Sequence, residues 1–416
     1  MLKSEGFWTV LKPSAWPSLP DWMSFSTINA IEACPRQWAL INANYDDVWQ
    51  EKGYPTITSM PALEGIVIHQ SIKAILNTLV SDVNDDIGEE RIVRILIQMG
   101  GFSAILKKII DNEMSITAVN PRNCAINEST RIHLITKIPE LRIKLQKEIN
   151  HITPFYNRAN HGRVMTLESN QPKGELRFGT YSELPVEAQD IHWRGVVDML
   201  VLTEAFCEIR EFKTGVHQER HEAQLRIYAL LWLQDKKRNP KGRPADRLTL
   251  VYTDQVKSVQ VLDVDNMKLL ASDLAERESR LRKLISVAPP AATPFNDLCP
   301  TCQVRHLCDD YWPWLSEQIQ TDVGREIVYT DIQVKLVSPR GDSCWICEIE
   351  YGCQSFTGTH ILLDAERSKV TLVAGMRLRL LNVQVSTSPC TERLSVTNQI
   401  YTANITRYSE LFVMHE

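Results

Sequence analysis

Up to about residue 160 the apolar positions recur three and four apart, the spacing of helices that bury one face. In SFSTINAIEACPRQWALIN, Ile28, Ile31, Trp38 and Ile41 keep this rhythm, with Ser26 as the expected N-cap. Cys34-Pro35 interrupts the run, because proline removes a helical hydrogen bond, so a kink or a restart is expected there. GIVIHQSIKAILNTLV predicts a long helix with Gly65 and His69 in its first turns. IVRILIQMGGFSAILKKIIDNEM predicts one or two helices broken at Gly100-Gly101, and STRIHLITKIPELRIKLQKEIN another, kinked at Pro139.

The rhythm then changes to the short apolar and alternating runs of strands. RVMTLES, KGELRFG, DIHWRGVVDMLVL and FCEIREFKTG are the expected strands, followed by a helix carrying Gln224 and Tyr228. LTLVYT and SVQVLDV predict a strand pair ahead of a charged helix, DNMKLLASDLAERESRLRKLI. A proline-rich link, APPAATP, leads into DLCPTCQVRHLCDDYW. From about residue 325 the pattern is short strands between Gly and Asp turns: IVYTDIQVKLV, CWICEIEYG, THILLD, KVTLVAG, MRLRLLNVQVS and RLSVTNQIYTANITRY. This predicts a small, OB-like β-barrel. The expected fold class is α/β in three parts: helices over 1–160, a mixed sheet with the cysteine segment over 161–320, and an all-β barrel over 321–416.

Composition narrows the partners. A chain of 416 residues suffices for two or three domains and a sizeable core. The net charge of −5 excludes a broadly basic coat for nucleic acid but leaves room for a local basic groove. The opening MLKSEGFWTVLKP has no signal-peptide core, and runs such as RIYALLWL are too short to span a bilayer. A cytoplasmic protein without membrane contact is therefore expected. In that reducing setting the ten cysteines are not expected to form a disulfide frame.

The stretch from Trp193 to Tyr228 concentrates the chemistry. WRGVVDMLVL sets one acid, Asp198, inside an apolar strand, and CEIREFK ends in Glu211, Phe212 and Lys213. Gln224 and Tyr228 follow, one helical turn apart on one face. Carboxylates hold hard ions such as Mg²⁺ or Mn²⁺, which activate water and neutralise charge building on a phosphodiester. Asp198 and Glu211 suit that task, and the Phe212 carbonyl is available to complete the coordination sphere. Lys213 suits positioning or deprotonating the water, or stabilising developing charge. EFKTG alone reads equally well as an edge strand with solvated charges, but VVDML before it and QLRIY after it favour a site. His69 is either an ordinary histidine or a further metal ligand supplied by the N-terminal helix. Glu175 is either a strand-face acid or one that completes the metal site or meets a ligand through water.

Cys299, Cys302 and Cys308 form C-x2-C-x5-C, the loop that grips one metal centre with several thiolates. Cys34, beside Pro35, is the best fourth ligand, and spacing alone leaves zinc and iron–sulfur equally open. Either centre would join segments about 265 residues apart. Cys344, Cys347 and Cys353 repeat the spacing, with Cys390 available. In an alternating strand, however, Cys344 and Cys347 point to opposite faces, so core filling is the expected role. Tyr311, Trp312 and Trp314 could stack on bases, but packing around the cysteine segment is the expected role. Trp345, Tyr351, Phe356 and Tyr401 suit base stacking or a docking surface for a partner.

Together these residues resemble the RecB-type nucleases of the PD-(D/E)xK superfamily, in the iron–sulfur subgroup. That subgroup includes CRISPR-associated exonucleases, AddB-type nucleases and the nuclease part of the eukaryotic replication helicase–nuclease, which a β-barrel follows. The resemblance covers about residues 24–312. It rests on Gly65-x3-His69, Gly195-x2-Asp198, Glu211-x-Lys213, Gln224-x3-Tyr228 and Cys34 with Cys299-x2-Cys302-x5-Cys308, in the family's order. It implies a restriction-endonuclease-like core with His69, Asp198, Glu211 and Lys213 catalytic, and Gln224 and Tyr228 supporting the site or the DNA. It also implies a 4Fe–4S cluster on the four cysteines, Mg²⁺ or Mn²⁺ at the acids, and DNA as substrate, with single-stranded ends or flaps favoured. The sequence holds no G-x4-G-K-[ST] phosphate loop, so any helicase would be a separate partner, in DNA repair, CRISPR adaptation or anti-phage defence. Two readings from other classes stand beside it: a catalytically silent DNA-binding scaffold that recruits a helicase, and a zinc-bound structural subunit.

Overall fold

The computed structural model describes residues 8–46, 48, 53–81, 89–124, 126–158, 174–213, 215–295, 297–318, 327–353, 359–368, 370–386 and 400–414. Helices α1 (Phe25–Ala33) and α2 (Pro35–Asn42) come first, and the chain restarts at Pro35 as the spacing predicts. The N-cap of α1 is Ser24, not Ser26, because the Ser24 hydroxyl is the one that accepts the Thr27 amide, at 3.2 Å. Cys34 stands extended between the helices and caps α2, its sulfur accepting the Gln37 amide at 3.4 Å. Helix α3 (Met60–Ser81) begins five residues before Gly65, with Pro61 in its first turn, where a missing N–H costs nothing. His69 thus lies in its third turn.

Helices α4 (Glu89–Gln98) and α5 (Phe102–Thr117) separate at Gly100 and Gly101, whose φ of 84° and 83° only glycine adopts freely. Helices α6 (Asn127–Thr136) and α7 (Ile138–Arg158) break at Lys137. Pro139 therefore sits in the first turn of α7 and kinks nothing.

The first sheet comprises β1 (Gly179–Ala188), β2 (Trp193–Leu202), β3 (Cys207–Lys213), β4 (Arg247–Tyr252) and β5 (Val256–Val259), in that spatial order. Only β3 and β4 run parallel, and α8 (Glu219–Gln234) crosses between them, as a parallel pair requires. RVMTLES lies outside the described residues. KGELRFG is not a strand: residues 174–178 are irregular and pairing starts at Gly179. Strand β1, GTYSELPVEA, hides from periodicity because Ser182, Glu183, Pro185 and Glu187 break its apolar run. Its Pro185 is tolerated because β1 is an edge.

Helices cover both faces of this sheet. On one, Ile28 of α1, Leu225 and Trp232 of α8, and Leu274 of α9 (Val264–Ile285) pack with Leu200 and Ile209. On the other, Val67 of α3, Ile110 of α5 and Leu141 of α7 pack with Met199, Val201 and Phe212. The N-terminal helices are therefore a layer on the sheet.

After the cysteine segment and α10 (Tyr311–Glu317) come β6 (Ile327–Arg340), β7 (Cys344–Tyr351), β8 (His360–Asp364), β9 (Arg377–Ser386), β10 (Ile400–Asn404) and β11 (Glu410–Met414). Their order is β10-β8-β7-β6-β9-β11, and β10 also pairs with β9. KVTLVAG forms no strand among its described residues, which run through a bend and a turn. Strand β11, ELFVM, was not expected.

This second sheet docks on the cysteine segment through buried polar side chains. Asp331 of β6 accepts from the Arg305 guanidinium and from the Tyr311 hydroxyl, the latter at 2.8 Å. Arg379 of β9 donates to the His306 carbonyl at 2.6 Å, and Arg122, before α6, grips Glu410 of β11 at 2.6 and 2.9 Å. Tyr311 and Trp312 are fully enclosed there, so they pack rather than stack on bases. Trp345 and Tyr401 pack against the core of the second sheet and Tyr351 against the Trp312 cluster, while Phe356 lies outside the described residues. Cys347 is fully buried in that core, and the partly exposed Cys344 falls on the other face, as strand parity predicts. Cys390 lies outside the described residues.

Candidate functional site

Glu211 and Lys213, two apart in β3, share the face on which α8 packs. Gln224 and Tyr228, four apart in α8, face them. Lys213 Nζ donates to Glu211 Oε1 at 2.9 Å and to Gln224 Oε1 at 3.0 Å. Gln224 Nε2 donates back to Glu211 Oε1 at 2.9 Å and to the Tyr228 hydroxyl at 2.8 Å. Gly195 of β2 makes room for this helix: a Cβ there would stand 2.6 Å from Tyr228 Cε1.

Asp198 reaches the site through an irregularity in the sheet. Pairing of β1 with β2 runs from Ser182↔Met199 to Leu184↔Val197 and skips Glu183 and Asp198, which lie opposite each other. Glu183 has a φ of 50°, a left-handed conformation that side chains avoid unless the surroundings impose it. Val197 and Met199, two apart, pack in the cores on opposite faces, so the side-chain alternation slips at Asp198. His69 of α3 closes the group. Ligand atoms of His69, Glu183 and Asp198 all lie within 4.8 Å of one another, with His69 Nδ1 4.0 Å from Asp198 Oδ1. The Phe212 amide donates to Asp198 Oδ2 at 2.8 Å.

Charge is concentrated here in little water. Burial pushes the Asp198 carboxyl up to about 7 and Glu211 up to about 8, the Asp198 charge adding to the Glu211 shift. Burial lowers His69. Glu211 Oε2 is buried with no hydrogen-bond partner. Three carboxylates facing one lysine lack positive charge, and an orphaned carboxylate oxygen costs free energy. A hard divalent cation bound by His69, Glu183, Asp198, Glu211 and the Phe212 carbonyl would answer both deficits.

The expected site residues His69, Asp198, Glu211, Phe212, Lys213, Gln224 and Tyr228 are thus brought together. Glu175 is not: it lies exposed, paired with Lys241 at 2.7 Å. Glu183 takes the place considered for it. The sequence signal was faint, an acid 15 positions before Asp198 that only the hairpin register sets opposite it. Two histidines near Lys213 also went unread. His217 meets Glu222 at 3.2 Å, and His221 meets the Tyr252 hydroxyl at 2.9 Å. Burial, with Lys213 and Arg220 nearby, holds His221 down at about 4.

Cys34, Cys299, Cys302 and Cys308 line a single pocket with Arg36, Leu40, Val304 and Tyr311. Arg36 fastens the neighbouring chain, donating to the Pro290 carbonyl at 2.6 Å and pairing with Asp310 at 3.3 Å. Burial raises Cys299, pushes Cys302 up to about 11 and Cys308 to about 12. Such burial keeps these groups as neutral thiols unless a positively charged centre offsets it.

The profile of the PD-(D/E)XK nuclease superfamily matches residues 22–309. No curated protein matches the chain. Among solved structures, the crystal structure of SSO0001 is similar at 15% identity and a TM-score of 0.21, over 60% of this chain and 98% of that one. A murine DNA-binding protein bound with double-stranded DNA is similar at 11% identity and a TM-score of 0.17, over 56% and 90%. The tetrameric p202 HIN2 matches at 16% identity and a TM-score of 0.17, over 24% of this chain and 50% of that one. The chain thus spans half the length of the p202 HIN2 chain, and TM-scores this low carry no argument. No helix among the described residues is long and apolar enough to cross a membrane. The match covers more than two thirds of the sequence, from α1 through the last of the clustered cysteines, and by it the chain belongs to the PD-(D/E)XK nuclease superfamily.

Proposed function

We propose that the protein is a metal-dependent deoxyribonuclease acting on single-stranded ends or flaps, with a 4Fe–4S cluster on Cys34, Cys299, Cys302 and Cys308. The observation that carries this reading is the convergence of His69, Glu183, Asp198 and Glu211 beside Lys213, with Glu211 Oε2 left without a partner. Mg²⁺ or Mn²⁺ held by these residues and the Phe212 carbonyl supplies an activated water and charge neutralisation at the phosphate. Lys213, anchored between Glu211 and Gln224, is oriented to hold the attacking water or to meet charge on the phosphoryl oxygens. Gln224 keeps the Glu211 carboxylate and the Lys213 ammonium in register, and Tyr228 keeps Gln224 in place.

For the cysteines, the preference for a cluster over zinc rests on the family likeness, supported by the four lining one pocket. Pairing of β10 with both β8 and β9 supports an OB-like reading of the second sheet. A separate helicase as partner and work in repair, CRISPR adaptation or defence rest on the family likeness alone.

The test is cleavage of end-labelled single-stranded, duplex and flap DNA by anaerobically purified protein with Mn²⁺, Mg²⁺ or EDTA. Metal-dependent cutting, lost in Asp198→Ala and in Lys213→Ala while DNA binding persists, is expected. Cutting unchanged in both variants would overturn the assignment. A brown protein that binds DNA and cuts nothing would instead favour the silent scaffold.

A further inference from the structure

A cavity of about 420 Å³ lies away from the acidic site, where the second sheet meets the helical layer and the cysteine segment. Ligand pockets commonly span about 300–1,000 Å³. Its floor is electrically settled: Arg122 is bidentate to Glu410, and Arg305 is paired with Asp331. Its rim is not settled. Arg367 and Arg407 both line the cavity, both are exposed, and neither has a carboxylate partner among the described residues. Glu410 is the one acid in the lining, and Arg122 already neutralises it. The Arg407 guanidinium lies 4.7 Å from the centre of the Tyr408 ring, and Tyr408 is 52% exposed. Ser368, Thr406 and Ser409 also line the cavity.

We infer that this cavity is a nucleotide-binding site, with Arg367 and Arg407 taking phosphate and Tyr408 taking the base. Two unpaired guanidiniums on a protein of net charge −5 are a local anion site. An exposed aromatic ring stiffened by a stacked arginine is a platform for a base. The same chemistry serves a segment of single-stranded DNA or a free nucleotide. For the DNA case the inference rests on the proposed nuclease reading, since the cavity would then hold the strand away from the cutting site.

The test measures binding of fluorescent oligothymidylate, and separately of fluorescent dATP, to full-length Asp198→Ala protein in EDTA. Arg367→Glu with Arg407→Glu is expected to weaken oligothymidylate at least tenfold and to flatten its salt dependence by about 0.7 per lost phosphate contact. Tyr408→Ala is expected to weaken it at least about fivefold, and Lys268→Glu on α9 not at all. Loss of dATP binding alone would keep the site and assign it to a free nucleotide. Unchanged binding of both probes in the arginine pair and in Tyr408→Ala would overturn the inference. Cleavage by the chain with Asp198 intact separates the two readings. Cutting with unchanged binding in the arginine variants sinks this site alone; no cutting by a protein whose binding needs those arginines sinks the nuclease alone.

Discussion

The acidic centre gathers a set of metal ligands and the four cysteines share one pocket, yet the fold assembles the two in opposite ways. The acids come mainly from three sequential strands, β1 to β3, and from α8 just after them, with only His69 arriving from afar. The cysteines join the end of α1 to a segment about 265 residues later, and no sheet holds that pair of segments together. The acidic centre is also largely hydrogen-bonded by its own lysine and glutamine, whereas Cys34, in the pocket it shares with the other three cysteines, accepts a backbone amide, that of Gln37. The first should therefore survive loss of its metal as a folded but idle site. The second should fail as architecture, because the second sheet leans on its Arg305, His306 and Asp309.

The largest effect expected concerns activity. Glu183→Gln removes one charge from the acidic centre and keeps its shape, so cleavage should fall at least about a thousandfold with the melting temperature unchanged. Glu175→Gln, exposed and paired only with Lys241, should cut like the parent. Equal activity in both, measured on end-labelled DNA, would show that Glu183 does not belong to the working set.

Next comes stability. On the proposed cluster, Cys302→Ala should bleach the brown absorbance expected of the protein and lower the unfolding free energy by on the order of 4 kcal/mol, as for opening a long closed loop. Denaturant unfolding followed by circular dichroism reads this directly. A colourless variant as stable as the parent would erase the contrast between the two centres.

The smallest effect sharpens the acidic side. Gly195→Ala would push its methyl into the Tyr228 ring, displacing the hydroxyl that Gln224 reaches. A drop of about tenfold in kcat with little change in KM is expected, since the network is disturbed and the DNA contacts are not. A change confined to KM would place Tyr228 on the substrate rather than on Gln224.

Most of the acidic centre was legible because its members obey local parity. Residues two apart in a strand share a face, as Glu211 and Lys213 do, and residues four apart in a helix do too, as Gln224 and Tyr228 do. Ser24, Pro61 and Pro139 show the usual limit: helix boundaries shift by a few residues because caps compete locally. Strands β1 and β11 were missed for a different reason. One is an edge interrupted by polar residues, and the other is a five-residue tail that becomes a strand only by pairing with β9.

Taken alone, the sequence determined the helices and most central strands and picked out the acid–acid–lysine set and the four cysteines, because each depends on spacing along the backbone. The tertiary structure decided what depends on register and on segments far apart. It set Glu183 opposite Asp198 and left Glu175 outside, and it gathered Cys34 with the distant cysteine loop. It also set Arg367, Arg407 and Tyr408 around one cavity, with no carboxylate partner for either arginine among the described residues. Strand pairing and buried ion pairs bring together residues that no periodicity links, so their consequences appear only in three dimensions.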